Sequence, residues 1–135
     1  MSDSSKNSPA SASKTKDDRT VPVILCVDDE KPALFLRSAV LSGAGYAVLT
    51  ASNFSEALDL FNKNHVDLVI TDHLLIGATG TQLARRLKEI HPEVPIVILS
   101  GVVDEPDDMD SAHFFLSKNA GPTEMLSHVA RLLKL

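Results

Sequence analysis

The pair Asp28-Asp29 and the single residues Asp72, Ser100 and Lys118 lie far apart in the chain, yet each of the four follows a short apolar run. Three carboxylates gathered at one place repel one another, so a cation neutralises them or some of them take up protons. An all-oxygen ligand set that keeps several waters suits Mg2+. Beside such an ion, one carboxylate is left to attack a phosphoryl group in line, while the metal draws electron density from it. Lys118 supplies a compact positive charge for phosphoryl oxygens, and Ser100 a hydroxyl donor. An acceptor, a metal site, a cation and a hydrogen-bond donor are the parts needed to load a phosphoryl group onto one of the carboxylates.

These residues meet only if the elements before them stand side by side. Val23-Ile24-Leu25-Cys26-Val27 reads as a strand covered on both faces. Pro32 suits the first turn of a following helix, where Ala33, Leu36, Val40 and Ala44 recur at helical spacing and Gly43 and Gly45 close the segment. Residues 46–50 read as a second strand. Phe54, Ala57, Leu58 and Phe61 form a helical stripe capped by Ser52 or Asn53. Residues 68–71 are a third strand, Leu83, Leu87 and Ile90 mark a helix, and residues 95–99 and 114–116 are the fourth and fifth strands. Met125, Val129, Leu132 and Leu133 give a last amphipathic helix. Such alternation implies βαβ units: an α/β, doubly wound, five-stranded parallel sheet in the flavodoxin-like order 2-1-3-4-5. In that order the ends of strands one, three, four and five converge on one rim, where ligands of open α/β sheets sit.

Bulk properties agree with one such unit. The chain has 135 residues, 44% of them hydrophobic, enough for a single core. Residues 1–21, rich in Ser, Lys, Asp and Ala, read as a disordered tail, and 22–135 as the folded domain. The formal net charge of −5 argues against direct nucleic-acid binding. The lone Cys26 builds no disulfide framework and reads as a buried small hydrophobe. With neither a membrane-length apolar stretch nor a signal-peptide core, the default location is cytoplasmic, away from the membrane.

Val27-Asp28-Asp29-Glu30, the run 67–72 ending in Thr71-Asp72, Ile98-Leu99-Ser100-Gly101 and Phe115-Leu116-Ser117-Lys118 resemble the motifs of response-regulator receiver domains. These are the CheY-like phosphoacceptor half of two-component signalling. Each motif is weak alone; together, in this order, they are specific and span residues 23–133. The resemblance implies that Asp72 is the phosphoacceptor, receiving its phosphoryl group from a sensor histidine kinase or a histidine phosphotransfer protein. It implies that Asp29 binds Mg2+ directly, that Asp28 supports it, and that the Leu74 carbonyl is a further ligand. Ser100 would shift toward the phosphoryl group, Lys118 would bridge to it, and Phe115 matches an aromatic switch. Gly80 matches the glycine eight residues past the acceptor. The product would be a stand-alone switch that assists its own phosphorylation and dephosphorylation, with a downstream protein as target, rather than an enzyme.

The sequence also departs from that family. Leu75 and Ile76 replace the usual Met-Pro, and Asn119 replaces the proline after the lysine. A non-proline cis bond costs about 2.5–4 kcal/mol, so the bond at Asn119 is either trans or held under strain. Between Ser100 and Lys118, the acid-dense stretch 102–110 with its central Pro106 has no helical stripe, which predicts a fourth helix shortened or missing. It reads as a solvated loop rather than a second cation site. Leu74 and Val102 are apolar where a polar side chain would orient an attacking water, which predicts a long-lived phosphoryl state.

Blander readings stand beside these. Asp28 and Asp29 could cap the first helix. Phe115 could be plain core, His73 a partly exposed bystander, and Gly77-Ala78-Thr79-Gly80 a turn, since it lacks the Lys and Ser/Thr of a phosphate loop. The alternative function is a degenerate receiver acting as a phosphorylation-independent interaction module. A small Asp-based phosphohydrolase is disfavoured because strand one is followed by Asp28-x-Glu30 and there is no cap domain.

Overall fold

A computed structural model describes residues 21–101 and 113–134. In chain order the elements are β1 (Val23–Val27), α1 (Lys31–Gly43), β2 (Ala47–Ala51), α2 (Phe54–Lys63) and β3 (Leu68–Asp72). A small hairpin, β4 (Leu74–Leu75) and β5 (Ala78–Thr79), precedes α3 (Gly80–Ile90), β6 (Ile96–Ser100), β7 (His113–Ser117) and α4 (Pro122–Leu133). Five strands pair in parallel in the order β2-β1-β3-β6-β7. Counting only the strands of this sheet, that is the expected 2-1-3-4-5. The predicted tail, the stretch 102–110 and the expected shortening of a helix there fall outside the described residues, which hold four helices.

Strand pleating sorts the core into two layers, because successive side chains point to opposite faces. Ile24, Cys26, Leu68, Ile70, Val97 and Leu99 pack with Leu34 and Leu41 of α1 and Met125 and Val129 of α4. Leu25, Val27, Val69, Ile96 and Ile98 pack with Ala57 and Phe61 of α2 and Leu83 and Leu87 of α3. Both faces of the sheet are covered, which is why the central strands read as unbroken apolar runs.

Local chemistry sets the helix starts. Pro32 lies in the first turn of α1. Asn53 is the cap of α2, its side chain accepting from the Glu56 backbone at 2.8 Å. Thr79 and Gln82 form a reciprocal capping box that starts α3. In α1 the buried positions are Leu34 and Leu41, while Leu36 is 65% exposed, so the expected stripe through Leu36 is corrected. Within the helix, Ala33-Leu34-Phe35-Leu36 is apolar all the way round, so spacing alone does not choose the buried face.

Gly77, with φ of +80°, turns the β4–β5 hairpin. Gly80 is needed for a different reason. A Cβ there would lie 2.5 Å from the Asp72 carbonyl oxygen and 3.1 Å from the His73 Cα. Neither neighbour is a side-chain end that can swing aside. Gly80→Ala is therefore expected to lower stability by about 1–3 kcal/mol in urea unfolding. Gly43→Ala, where a Cβ meets nothing within 4 Å, is expected to raise it by about 0.4–1 kcal/mol. Equal effects of the two changes would contradict the close approach at Gly80.

Candidate functional site

The parallel ladder aligns the ends of β1, β3, β6 and β7. Val27 pairs with Thr71, Asp72 with Leu99, and Ser100 with Ser117. β3 and β6 each run one residue further than the apolar runs suggest, so Asp72 and Ser100 are the last strand residues. Alternation beyond Cys26, Ile70 and Leu116 carries Asp28, Asp72 and Lys118 to the sheet face covered by α1 and α4.

At that rim the three acids meet. Asp28, Asp29 and Asp72 each place one carboxylate oxygen within 4.8 Å of the others. Asp28 is fully buried, Asp72 is 4% exposed and Asp29 is half-buried. Lys118 Nζ sits 3.2 Å from both Asp72 carboxylate oxygens. The lysine is held there by its backbone, whose N–H donates to the Ser100 carbonyl at 2.9 Å. No described peptide bond is cis, so the Lys118–Asn119 bond is trans and the lysine still reaches Asp72. The strain considered for Asn119 is not needed.

Arg37 was not singled out from the sequence. Its NH1 lies 3.2 Å from Asp28 Oδ2, and its side chain is 11% exposed. It stands four residues after Ala33 and three before Val40, on the stripe read as apolar, and a cation there is the signal that a buried anion faces it. The other oxygen of Asp28 accepts the Glu30 N–H at 2.9 Å, which braces the turn into α1. Asp28 thus serves both the helix start and the acid cluster.

Burial pushes the Asp72 carboxyl above its ordinary value; the hydrogen bond from Lys118 pulls against this, and the charge of Asp28 adds to it. Among the described residues the three carboxylates face two cations, Arg37 and Lys118, which there leaves one negative charge uncompensated. An oxygen-only cluster, buried, crowded and short of positive charge, fits a hard divalent ion.

The hairpin turns one backbone carbonyl outward. Gly80 N–H donates to the His73 carbonyl at 2.6 Å, while Thr79 N–H is taken by Gln82 Oε1 at 2.9 Å. Antiparallel pairs alternate between bonded and unbonded, so the Leu74–Thr79 pair leaves the Leu74 carbonyl directed away from its partner strand. Leu74's side chain is 65% exposed. Ser100 is buried at the end of β6. Phe115 is half-buried against the α2/α3 layer, on the sheet face opposite Asp72. His73 is half-buried, its N–H donating to the Leu99 carbonyl at 2.8 Å. The residues 77–80 close the hairpin and open α3, in keeping with the turn reading. Burial pushes the Cys26 thiol up to about 12, in keeping with an inert core residue. No helix among the described residues is long and apolar enough to cross a membrane.

Comparison with known proteins agrees with this geometry. Residues 24–130 match the family described as response regulator receiver domain. The phosphate regulon transcriptional regulatory protein PhoB of Pseudomonas aeruginosa is 32% identical over 117 residues, covering 82% of this chain and 51% of that protein. The autoinducer 1 sensor kinase/phosphatase LuxN of Vibrio campbellii is 38% identical over 80 residues, 59% of this chain and 9% of its own length. The chain therefore spans about half of one relative and a small part of the other. A receiver domain protein from Clostridium thermocellum superposes with a TM-score of 0.79 at 28% identity, covering 84% of this chain and 95% of that one. The response regulator TrrA of Thermotoga maritima, solved in complex with Mg(2+)-BeF, superposes at 0.77 with 30% identity, covering 83% and 99%. With its fold, its rim of acids and its match over residues 24–130, the chain belongs to the response regulator receiver domain family of two-component systems.

Proposed function

We propose that the chain accepts a phosphoryl group on Asp72 from a phosphohistidine donor, with Mg2+ bound, and that the modification switches a protein-interaction surface. What carries the reading is the clustering of Asp28, Asp29 and Asp72 with Lys118 set 3.2 Å from both oxygens of Asp72. A carboxylate oxygen of Asp72 attacks phosphorus, and a P–O bond forms as the P–N bond to the donor imidazole breaks. The electron pair returns to the imidazole nitrogen. Lys118 then binds the phosphoryl oxygens it was positioned for, and the Ser100 hydroxyl donates to another. Asp29, Asp72 and the Leu74 carbonyl would hold Mg2+ with Asp28 in support, and the ion so held supplies positive charge opposite the phosphoryl oxygens. The acyl phosphate biases a two-state equilibrium that involves Ser100 and Phe115. The donor is a sensor histidine kinase or a histidine phosphotransfer protein, and the reader of the switched surface is a further protein.

Acetyl phosphate with Mg2+ is expected to add one phosphoryl mass to the chain, alkali-labile as an acyl phosphate is, and none to Asp72→Asn. Labelled Asp72→Asn would refute the assignment. A folded wild-type chain that takes no label from acetyl phosphate or from any histidine donor would favour a phosphorylation-independent interaction module.

Asp72 also has a linkage consequence. Its folded carboxyl titrates above the ordinary 3.8, so the unfolded chain releases that proton first as pH rises. Ionisation of Asp72 therefore subtracts stability from about pH 3.8 upward to the folded pKa, and the loss persists above it. Without metal, Asp72→Asn should melt higher than wild type near neutral pH, and the gap should close as the solution is acidified through the carboxylate range. A gap that widens in acid would reverse the sign assigned to burial.

Leu74, exposed beside Asp72, offers no polar group to aim a water at the phosphoryl phosphorus. Label on the isolated wild-type chain should persist, and Leu74→Asn should shorten its lifetime several-fold in a timed intact-mass assay. An unchanged decay would place the control of lifetime elsewhere.

A further inference from the structure

Arg37 has no task in the chemistry above, yet it is built into the site. Its guanidinium meets Asp28 at 3.2 Å, and Asp28 is fully buried. The second oxygen of Asp28 is taken by the Glu30 N–H. Both carboxylate oxygens are therefore engaged before any ion arrives.

We propose that Arg37 is a resident counter-ion that competes with the divalent cation for Asp28 and so weakens metal binding by the unmodified chain. The inference rests on the metal-site reading given above. A guanidinium does not lose its proton at any ordinary pH, so its charge cannot be shed to make room. At 11% exposure the side chain is poorly screened by solvent. An ion held among oxygens that lie within 4.8 Å of one another shares a small volume with that charge, and the two repel. Metal binding then includes the cost of setting the ion's charge beside the Arg37 guanidinium.

Titration of the full chain with MgCl2, followed by amide NMR shifts, tests this. Arg37→Gln, which keeps a donor and removes the charge, should bind Mg2+ roughly tenfold more tightly than wild type. Its metal-free melting temperature should fall, since Asp28 loses its cation, and Mg2+ should restore more of it than in wild type. Equal affinity, or weaker binding by Arg37→Gln, would overturn the proposal and identify Arg37 as a residue that merely orients Asp28. Absence of binding by both chains would instead remove the metal-site reading and this inference with it. A measurement on wild type alone guards against a variant that fails to fold. The Arg37 guanidinium resonances should shift as Mg2+ saturates the site, and guanidinium signals that stay fixed at saturation would also overturn it.

Discussion

A carboxylate withdrawn from water stays charged only beside a cation or strong hydrogen-bond donors, and taking it out of water costs several kcal/mol before any partner is counted. The fold withdraws two carboxylates, Asp28 fully and Asp72 nearly so. It answers each with one cation, Arg37 on α1 for the first and Lys118 beyond β7 for the second. The third acid, Asp29, is half-buried and lies where solvent still reaches it. The result is a cluster held short of neutrality, with Asp72 titrating high because burial outweighs the help from Lys118.

The arrangement depends on strand parity more than on any single contact. Asp28, Asp72 and Lys118 continue the series of Cys26, Ile70 and Leu116, all facing α1 and α4. A slip of one residue in β1 or β3 would turn an acid to the α2/α3 face and away from the lysine. Such slips are opposed because both faces of these strands are buried against different partners. Gly80 fixes the level of Asp72 in another way, since the start of α3 lies directly against its carbonyl. The core and one glycine therefore position Asp72, and Lys118 needs no cis peptide after it to complete the contact.

Much of this is legible in the residues because strands that are covered on both faces leave continuous apolar runs, and polar residues at their ends stand out. Asp72, Ser100 and Lys118 are conspicuous for that reason, and the sheet order follows from the alternation of elements. What is hidden has a physical cause in each case. α1 is apolar all round over residues 33–36, so its periodicity does not reveal that Leu34 rather than Leu36 faces the sheet. Arg37 reads as an ordinary helix arginine until the buried oxygen of Asp28 is placed opposite it. The β4–β5 hairpin is two residues per strand, too short for alternation to register, although Ile76-Gly77 and the Thr79-x-x-Gln82 box mark its turn and its exit.

Charge accounting shows what an arginine in that position would accomplish on the proposed reading. Asp28, Asp29 and Asp72 against Arg37 and Lys118 leave one negative charge, which a divalent ion alone would carry past neutrality to a positive excess. A phosphoryl group on Asp72 replaces one negative charge by about two. With both the ion and the phosphoryl group in place, the cluster comes out close to neutral. Without Arg37, the cluster would reach neutrality with the ion alone, and phosphorylation would make it negative again. The guanidinium thus shifts the balance point from the metal-loaded chain to the chain that holds metal and phosphoryl group together. In a buried site, where residual charge is costly, that shift makes the ion and the phosphoryl group favour each other's binding.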